Sequence, residues 1–347
     1  MNISNLNKVL ADEPKFRYVQ INKALFQDHI SSWEEASNLP KILREKLAAE
    51  CSLKIKAEIF KALSGPKSLK ALITLEDGEA IETVLIRQHG KDKNSEPEDK
   101  SNRNTVCVSS QAGCPLNCVF CATGQSGFRR NLTAEEIIEQ VVFWARYLKI
   151  EGKGEKIDNL VFMGMGEPFL NYEQFIKAVK FLNNPETLNI GARRISVSTA
   201  GLTEGIKRLA GEKIQLNLAI SLHASNDNLR RELMPIAKKY ELREIIKAVD
   251  NYIVKTGRRV MFEYLMIKSV NDSDAAAQEL SQLIAGKPLY LVNLIPYNTT
   301  GKFRPSDRER VAAFKKILED NHIPVTVRLS FGADIGAACG QLRGKKK

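Results

Sequence analysis

Apolar and polar positions change rhythm partway along this chain. Up to residue 88, apolar residues recur every three or four positions over Asn22–His29, Trp33–Ala36 and Lys41–Ala49, and this spacing predicts helices. Leu69–Leu75 and Ala80–Ile86 instead alternate and are rich in β-branched residues, which predicts strands. Residues 1–87 therefore read as a small α+β region. Residues 88–104 (QHGKDKNSEPEDKSNRN) are nearly free of apolar side chains and read as a linker or long loop.

Beyond the linker, short β-branched runs lie at Thr105–Ser110, Asn159–Met163, Arg194–Thr199, Gln215–Ser221, Arg259–Met266 and Leu289–Ile295. Helical spacing fills the gaps at Ala134–Tyr147, Tyr172–Asn183, Thr203–Leu209, Leu242–Lys255, Asp274–Ile284 and Asp307–Asp320. Strands that alternate with helices predict a parallel sheet with helical crossovers. Six such units predict an α/β fold, a (βα)6 partial barrel over 105–347, with Val325–Leu329 placed to close it.

Composition narrows the class. At 347 residues, 43% hydrophobic and 27% charged, the chain can bury a sizeable core, which excludes disorder throughout. No apolar run approaches the roughly 20 residues of a membrane helix. The first residues carry no signal-peptide pattern, so the expected compartment is the cytoplasm, without a membrane partner. The net charge of +11 is uneven: residues 101–347 hold 36 Lys and Arg against 25 Asp and Glu. An excess confined to that part suits a polyanion such as RNA. Candidate phosphate contacts are Arg129–Arg130, Arg193–Arg194, Arg230–Arg231, Lys238–Lys239, Lys302 and Arg304. Lys345, Lys346 and Lys347 form a basic tail that solvation alone would explain.

Three of the six cysteines fall within eight residues, as Cys114-x3-Cys118-x2-Cys121 just after the first strand of the βα series. Three thiolates on one loop can hold three irons of a [4Fe–4S] cube and leave the fourth open to a substrate. A structural zinc site would need a fourth ligand, and Cys107 lies inside a predicted strand. Phe120, just before the third cysteine, also fits the iron–sulfur pattern. In a parallel βα array, ligand sites form at the C-terminal strand ends. The cysteine loop, Gly166-Glu167, Ser198, Ser221–His223 and Asn298 all fall at such ends.

These motifs resemble the radical S-adenosylmethionine superfamily, whose Gly-Glu-Pro signature matches Gly166-Glu167-Pro168. Cys107–Cys114, Ser196–Gly201, Ser221–Ala224 and Ala337–Leu342 resemble one family within it, the dual-specificity RNA methyltransferases that methylate carbon 2 of adenine in 23S rRNA and tRNA. The resemblance spans about Lys8 to Arg343. It implies a barrel of radical S-adenosylmethionine type and an N-terminal α+β accessory domain used in RNA recognition. Cys114, Cys118 and Cys121 would be the [4Fe–4S] ligands. Gly166, Glu167, Ser198, Ser221, Leu222, His223 and Asn298 would be the S-adenosylmethionine contacts, with Glu167 accepting hydrogen bonds from the methionine ammonium.

The resemblance also implies the chemistry. Carbon 2 of adenine lies between two ring nitrogens and is not nucleophilic, so a radical is required. Cys339, in a loop of small residues, would be methylated first, and its methyl carbon would then be transferred. Cys107 would resolve the resulting protein–RNA bond by forming a disulfide with Cys339. Glu82 matches the proton acceptor, although by alternation alone it is the polar face of a strand. An electron donor such as flavodoxin or ferredoxin would serve the cluster. Cys51 reads as packing. Two alternatives stay open: a relative that methylates carbon 8 of the same rRNA adenine and confers antibiotic resistance, and a non-enzymatic RNA-binding protein with a structural metal.

Overall fold

The computed structural model describes residues 5–63, 68–88, 103–152, 154–328 and 330–344. Most of the predicted linker, the tail lysines Lys345–Lys347 and Leu329 fall outside the described residues. One ten-stranded sheet organises the molecule. Its strands are β1 (Ala57–Lys61), β2 (Leu69–Thr74), β3 (Ala80–Gln88), β4 (Arg103–Cys107), β7 (Asn159–Phe162), β8 (Ile195–Thr199), β9 (Asn217–Ser221), β10 (Val260–Met266), β11 (Tyr290–Pro296) and β12 (Val325–Val327). Two further strands, β5 (Gln111–Gly113) and β6 (Phe128–Asn131), pair separately as a hairpin around the cysteine loop.

From β4 through β12 neighbouring strands of the main sheet are parallel. The expected six βα units are present. The crossovers carry α5 (Ala134–Ile150), α6 (Tyr172–Asn183), α7 (Thr203–Leu209), α9 (Leu242–Thr256) and α10 (Asp274–Ile284), and α11 (Arg308–Asp320) leads into β12. Short helices α4 (Ala122–Gln125) and α8 (Asp227–Leu233) are additions that apolar periodicity does not predict. Local sequence sets several helix starts. Thr133 and Glu136 form a reciprocal capping box before α5, Ser273 caps α10, and Gly257 ends α9 in the left-handed conformation.

The structure alters three expectations. The strand expected over Thr105–Ser110 begins at Arg103 and ends at Cys107, because the chain turns there into the hairpin. Among the described residues, the run at Val325 pairs with β11 alone and ends the sheet instead of closing a barrel. The helix expected over Asn22–His29 begins earlier, as α2 (Lys15–Asn22), and widens into a π-turn at Lys23–Gln27. α1 (Leu6–Val9) and α3 (Lys41–Glu50) complete the N-terminal helices.

Strands β1 to β4 are antiparallel, and β3 pairs with β4 from Val84↔Cys107 to Gln88↔Arg103. The N-terminal strands therefore extend the same sheet that carries the βα units. Among the described residues, no helix is long and apolar enough to cross a membrane.

Candidate active site

The parallel strands end on one cavity. Cys107 reaches it from β4, Gly164 and Gly166 from the loop after β7, and Ser198 from β8. Ser221 and His223 follow β9, Glu263 lies in β10, Asn298 follows β11 and Arg328 follows β12. Cys114, Cys118 and Cys121 line the same space, as does Cys339.

The cysteine loop is held by backbone geometry. Cys114 N–H donates to Gly127 O at 3.1 Å, and Cys121 N–H to Cys118 O at 3.1 Å. Gly113 has φ +76°, and a Cβ there would sit 1.9 Å from Gly127 O. Only glycine permits this crossing. Burial pushes the Cys114 thiol up to about 12 and raises that of Cys118, with the neighbouring thiols adding to both. Buried thiols of this kind need a metal centre to hold them as thiolates. Among the described residues, no three His, Cys, Asp or Glu side chains close around a single ion. The three thiols are instead disposed around a shared cavity, which fits a multi-iron cluster better than a four-ligand zinc site.

Glu167 is buried, and desolvation raises its carboxyl to about 7. Its Oε1 accepts from Phe169 N–H at 3.0 Å and its Oε2 from Ala200 N–H at 2.8 Å. The Thr199 side chain bonds the same carboxylate, so only part of its accepting capacity is left for a ligand. Gly166 has φ +98°, and a Cβ there would meet Gln111 Cβ at 2.5 Å. Burial lowers His223 to about 3, so its imidazole is neutral. Its Nδ1 accepts from Leu265 N–H at 3.2 Å, which places the ring proton on Nε2.

Glu263 is a member of the site that sequence reasoning missed. Its Oε2 accepts from Ser198 Oγ at 2.5 Å and from Ser221 Oγ at 3.5 Å, while its Oε1 lies 3.6 Å from Arg328 Nη1. Arg328 was missed as well, and it is the one Lys or Arg side chain on the cavity wall among the described residues. A charged residue inside the apolar run Val260–Met266 was the available signal.

Cys107 and Cys339 meet the cavity from opposite ends of the sequence. Thr83 Oγ1 donates to Cys107 O at 2.7 Å and accepts from Trp144 Nε1–H at 3.2 Å, so α5 braces the end of β4. The segment around Cys339 is stitched to the cysteine loop. Ala122 N–H donates to Gly340 O at 2.7 Å and Thr123 Oγ1 to Leu342 O at 2.7 Å. Asn298 Nδ2 donates to Cys339 O at 3.3 Å.

Two expected site residues do not line the cavity. Leu222 packs its side chain into the core, and its carbonyl accepts from Arg230 Nε at 3.2 Å. Glu82 is buried among the N-terminal strands beneath residues 343–344. Arg230 is also corrected as a phosphate contact. It is fully buried and donates to Leu222 O, Tyr240 O and Ala200 O, tying three chain segments together. Arg130 is clamped by Glu136 and Asp77. Arg129, Arg193, Arg194, Lys238, Lys239, Lys302 and Arg304 are exposed. Cys51 is buried, as expected for packing.

The Radical SAM superfamily model matches residues 108–280. Three thiols at the head of a parallel βα series and this match together define a radical S-adenosylmethionine enzyme, whose cofactors are a [4Fe–4S] cluster and S-adenosylmethionine. A protein of Syntrophomonas wolfei named "Probable dual-specificity RNA methyltransferase RlmN" is 44% identical over 96% of this chain and 92% of its own. "Ribosomal RNA large subunit methyltransferase N" of Nitrosopumilus maritimus is 43% identical over 95% of this chain and 92% of its own. The crystal structure of a radical SAM methyltransferase from Sphaerobacter thermophilus superposes with a TM-score of 0.89 at 44% identity, covering 99% of this chain and 98% of that one. The chain belongs to the dual-specificity RNA methyltransferases, enzymes that act on RNA.

Proposed function

We propose that this enzyme, working in the cytoplasm, methylates carbon 2 of adenine in the peptidyl-transferase region of 23S rRNA and in tRNA, at the adenosine 3′ of the anticodon. The observation that carries the reading is the shared cavity. Cys107 and Cys339 are both free thiols and both line the space that the cluster cysteines surround. The names of the relatives support an RNA substrate, and one names the large-subunit ribosomal RNA.

The cluster, held by Cys114, Cys118 and Cys121, supplies one electron for reductive cleavage of S-adenosylmethionine when bound. Gly166, Glu167, Ser198, Ser221, His223 and Asn298 position that substrate, with the backbone at Leu222. A flavodoxin- or ferredoxin-like donor supplies the electron. The protein's part is placement and thiol chemistry. Cys339 acts as the nucleophile for a first methyl group, on a loop that Asn298 holds by its backbone. Burial pushes the Cys107 thiol up to about 12, so it stays protonated and does not compete for that methyl. When the methyl carbon bonds to adenine, the unpaired electron of the adduct would return to the cluster; the Cys107 thiol then gives up its proton and its sulfur attacks Cys339 sulfur. The Cys339 sulfur–carbon bond breaks, its electron pair goes to carbon, and a proton completes the methyl group. Reduction of the disulfide resets the pair. Glu82 accepts the proton of carbon 2.

The test is mass spectrometry of rRNA and tRNA from cells lacking the gene. Loss of 2-methyladenosine from both is expected. Unchanged 2-methyladenosine would overturn the proposal, and loss of 8-methyladenosine would assign the enzyme to the carbon 8 reaction.

A further inference from the structure

Glu82 does not stand alone in its buried place. Lys70 Nζ lies 2.7 Å from Glu82 Oε1, and both side chains are almost wholly enclosed. The two come from paired strands, with Leu72 opposite Glu82 and Lys70 opposite Val84. The other oxygen, Oε2, accepts from Arg343 N–H at 2.5 Å and Gly344 N–H at 3.2 Å. Around the same residue, Ser109 Oγ donates to Glu82 O at 2.6 Å, and Glu82 N–H points to Met165 Sδ at 3.3 Å. Lys70 also faces the Phe60 ring at 5.3 Å and Gly336 O at 3.5 Å.

The donors divide by origin. Those on Oε2 belong to the segment that carries Cys339, while the donor on Oε1 belongs to the sheet. A buried carboxylate stripped of partners is costly, and one left with a single strand-borne cation is less so. Were residues 343–344 to move away, Oε2 would become free while Lys70 still held Oε1.

We infer that Lys70 is a positioning residue for the methyl-transfer reaction: its ammonium holds the Glu82 carboxylate by Oε1, and Oε2 is left to accept the carbon 2 proton once residues 343–344 withdraw from it. This rests on the reading of Glu82 as proton acceptor. In the step concerned, the carbon 2–hydrogen bond breaks, the proton goes to Oε2 and the electron pair stays in the purine ring. The role of Lys70 is orientation, and it does not touch the RNA.

The experiment uses the full chain with its cluster and S-adenosylmethionine. Its RNA substrate carries hydrogen or deuterium at carbon 2 of the target adenine. Lys70→Met should slow methylation on the order of 10²-fold, the cost of a misplaced catalytic group. Slow proton removal should also bring out a primary isotope effect larger than that of the unaltered protein. Lys70→Arg, which keeps the charge and the donor, should recover most of the rate. If Lys70→Met does not fold, Lys70→Gln replaces it, and thermal unfolding of each variant confirms the fold. A folded Lys70→Met or Lys70→Gln protein without an enlarged isotope effect would overturn the inference, as would Lys70→Arg being no better than these. Glu82→Gln separates the two claims. If it still methylates RNA, the underlying reading fails; if it is inactive while Lys70→Met behaves like the unaltered protein, only the Lys70 inference fails.

Discussion

Glu263 carries a negative charge into an interior that it shares with two serine hydroxyls and one arginine. Glu263→Ala would leave Arg328 without its carboxylate and take from Ser198 its closest acceptor. Breaking such a pair costs about 3 kcal/mol or more. The expected result is a stability loss of that order in chemical denaturation, with Glu263→Gln losing clearly less because an acceptor oxygen remains. Equal losses for both would contradict the account. Ser198, Ser221 and His223 were legible in the sequence because each sits where an apolar run stops. Glu263 was overlooked, although a lone charge in a strand buried on both faces stands out against its apolar neighbours. Arg230 misled for the opposite reason. A dibasic pair reads as surface, and nothing local reveals three backbone carbonyls gathered around one guanidinium.

At the scale of elements, the cysteine loop depends on the hairpin at its base. Gly113→Ala would force a Cβ to within 1.9 Å of Gly127 O, so the crossing of β5 and β6 must open. The resulting protein should keep its far-ultraviolet spectrum but bind much less iron and acid-labile sulfide on reconstitution. Full iron and sulfide content in Gly113→Ala would show that the crossing is dispensable. This hairpin was not legible: Gln111–Gly113 is too short for alternation, and Phe128–Asn131 is mostly polar. Long amphipathic elements such as α5 and α9 were read nearly to their ends, because their caps and apolar faces are local signals. Arg130 belongs at this scale too. Asp77, in the turn between β2 and β3, ties that turn to β6 across 53 positions, which no window of sequence can span.

For the whole molecule, the parallel βα series was legible from rhythm alone, but its continuation into β3, β2 and β1 was not. Pairing of β3 with β4 is a long-range choice, made across residues 88–104, and alternation predicts strands without naming their neighbours. A single sheet implies shared cooperativity. Calorimetry of the full chain should give one main transition in which the N-terminal strands and the βα units melt together. Two well-separated transitions would mean that the β3–β4 seam contributes little.

The pairing of Val84 with Cys107 bears on how such enzymes can diversify. A module joined by a free tether can be exchanged between relatives by recombination, with no effect on the chemistry next door. Here the exchange would carry the backbone partner of Cys107 with it, along with Thr83, Lys70 and Glu82. A chimera made at residues 88–104 would therefore inherit the backbone alignment of Cys107 from the donor of its N-terminal part, and workable exchanges would be confined to those that preserve this register.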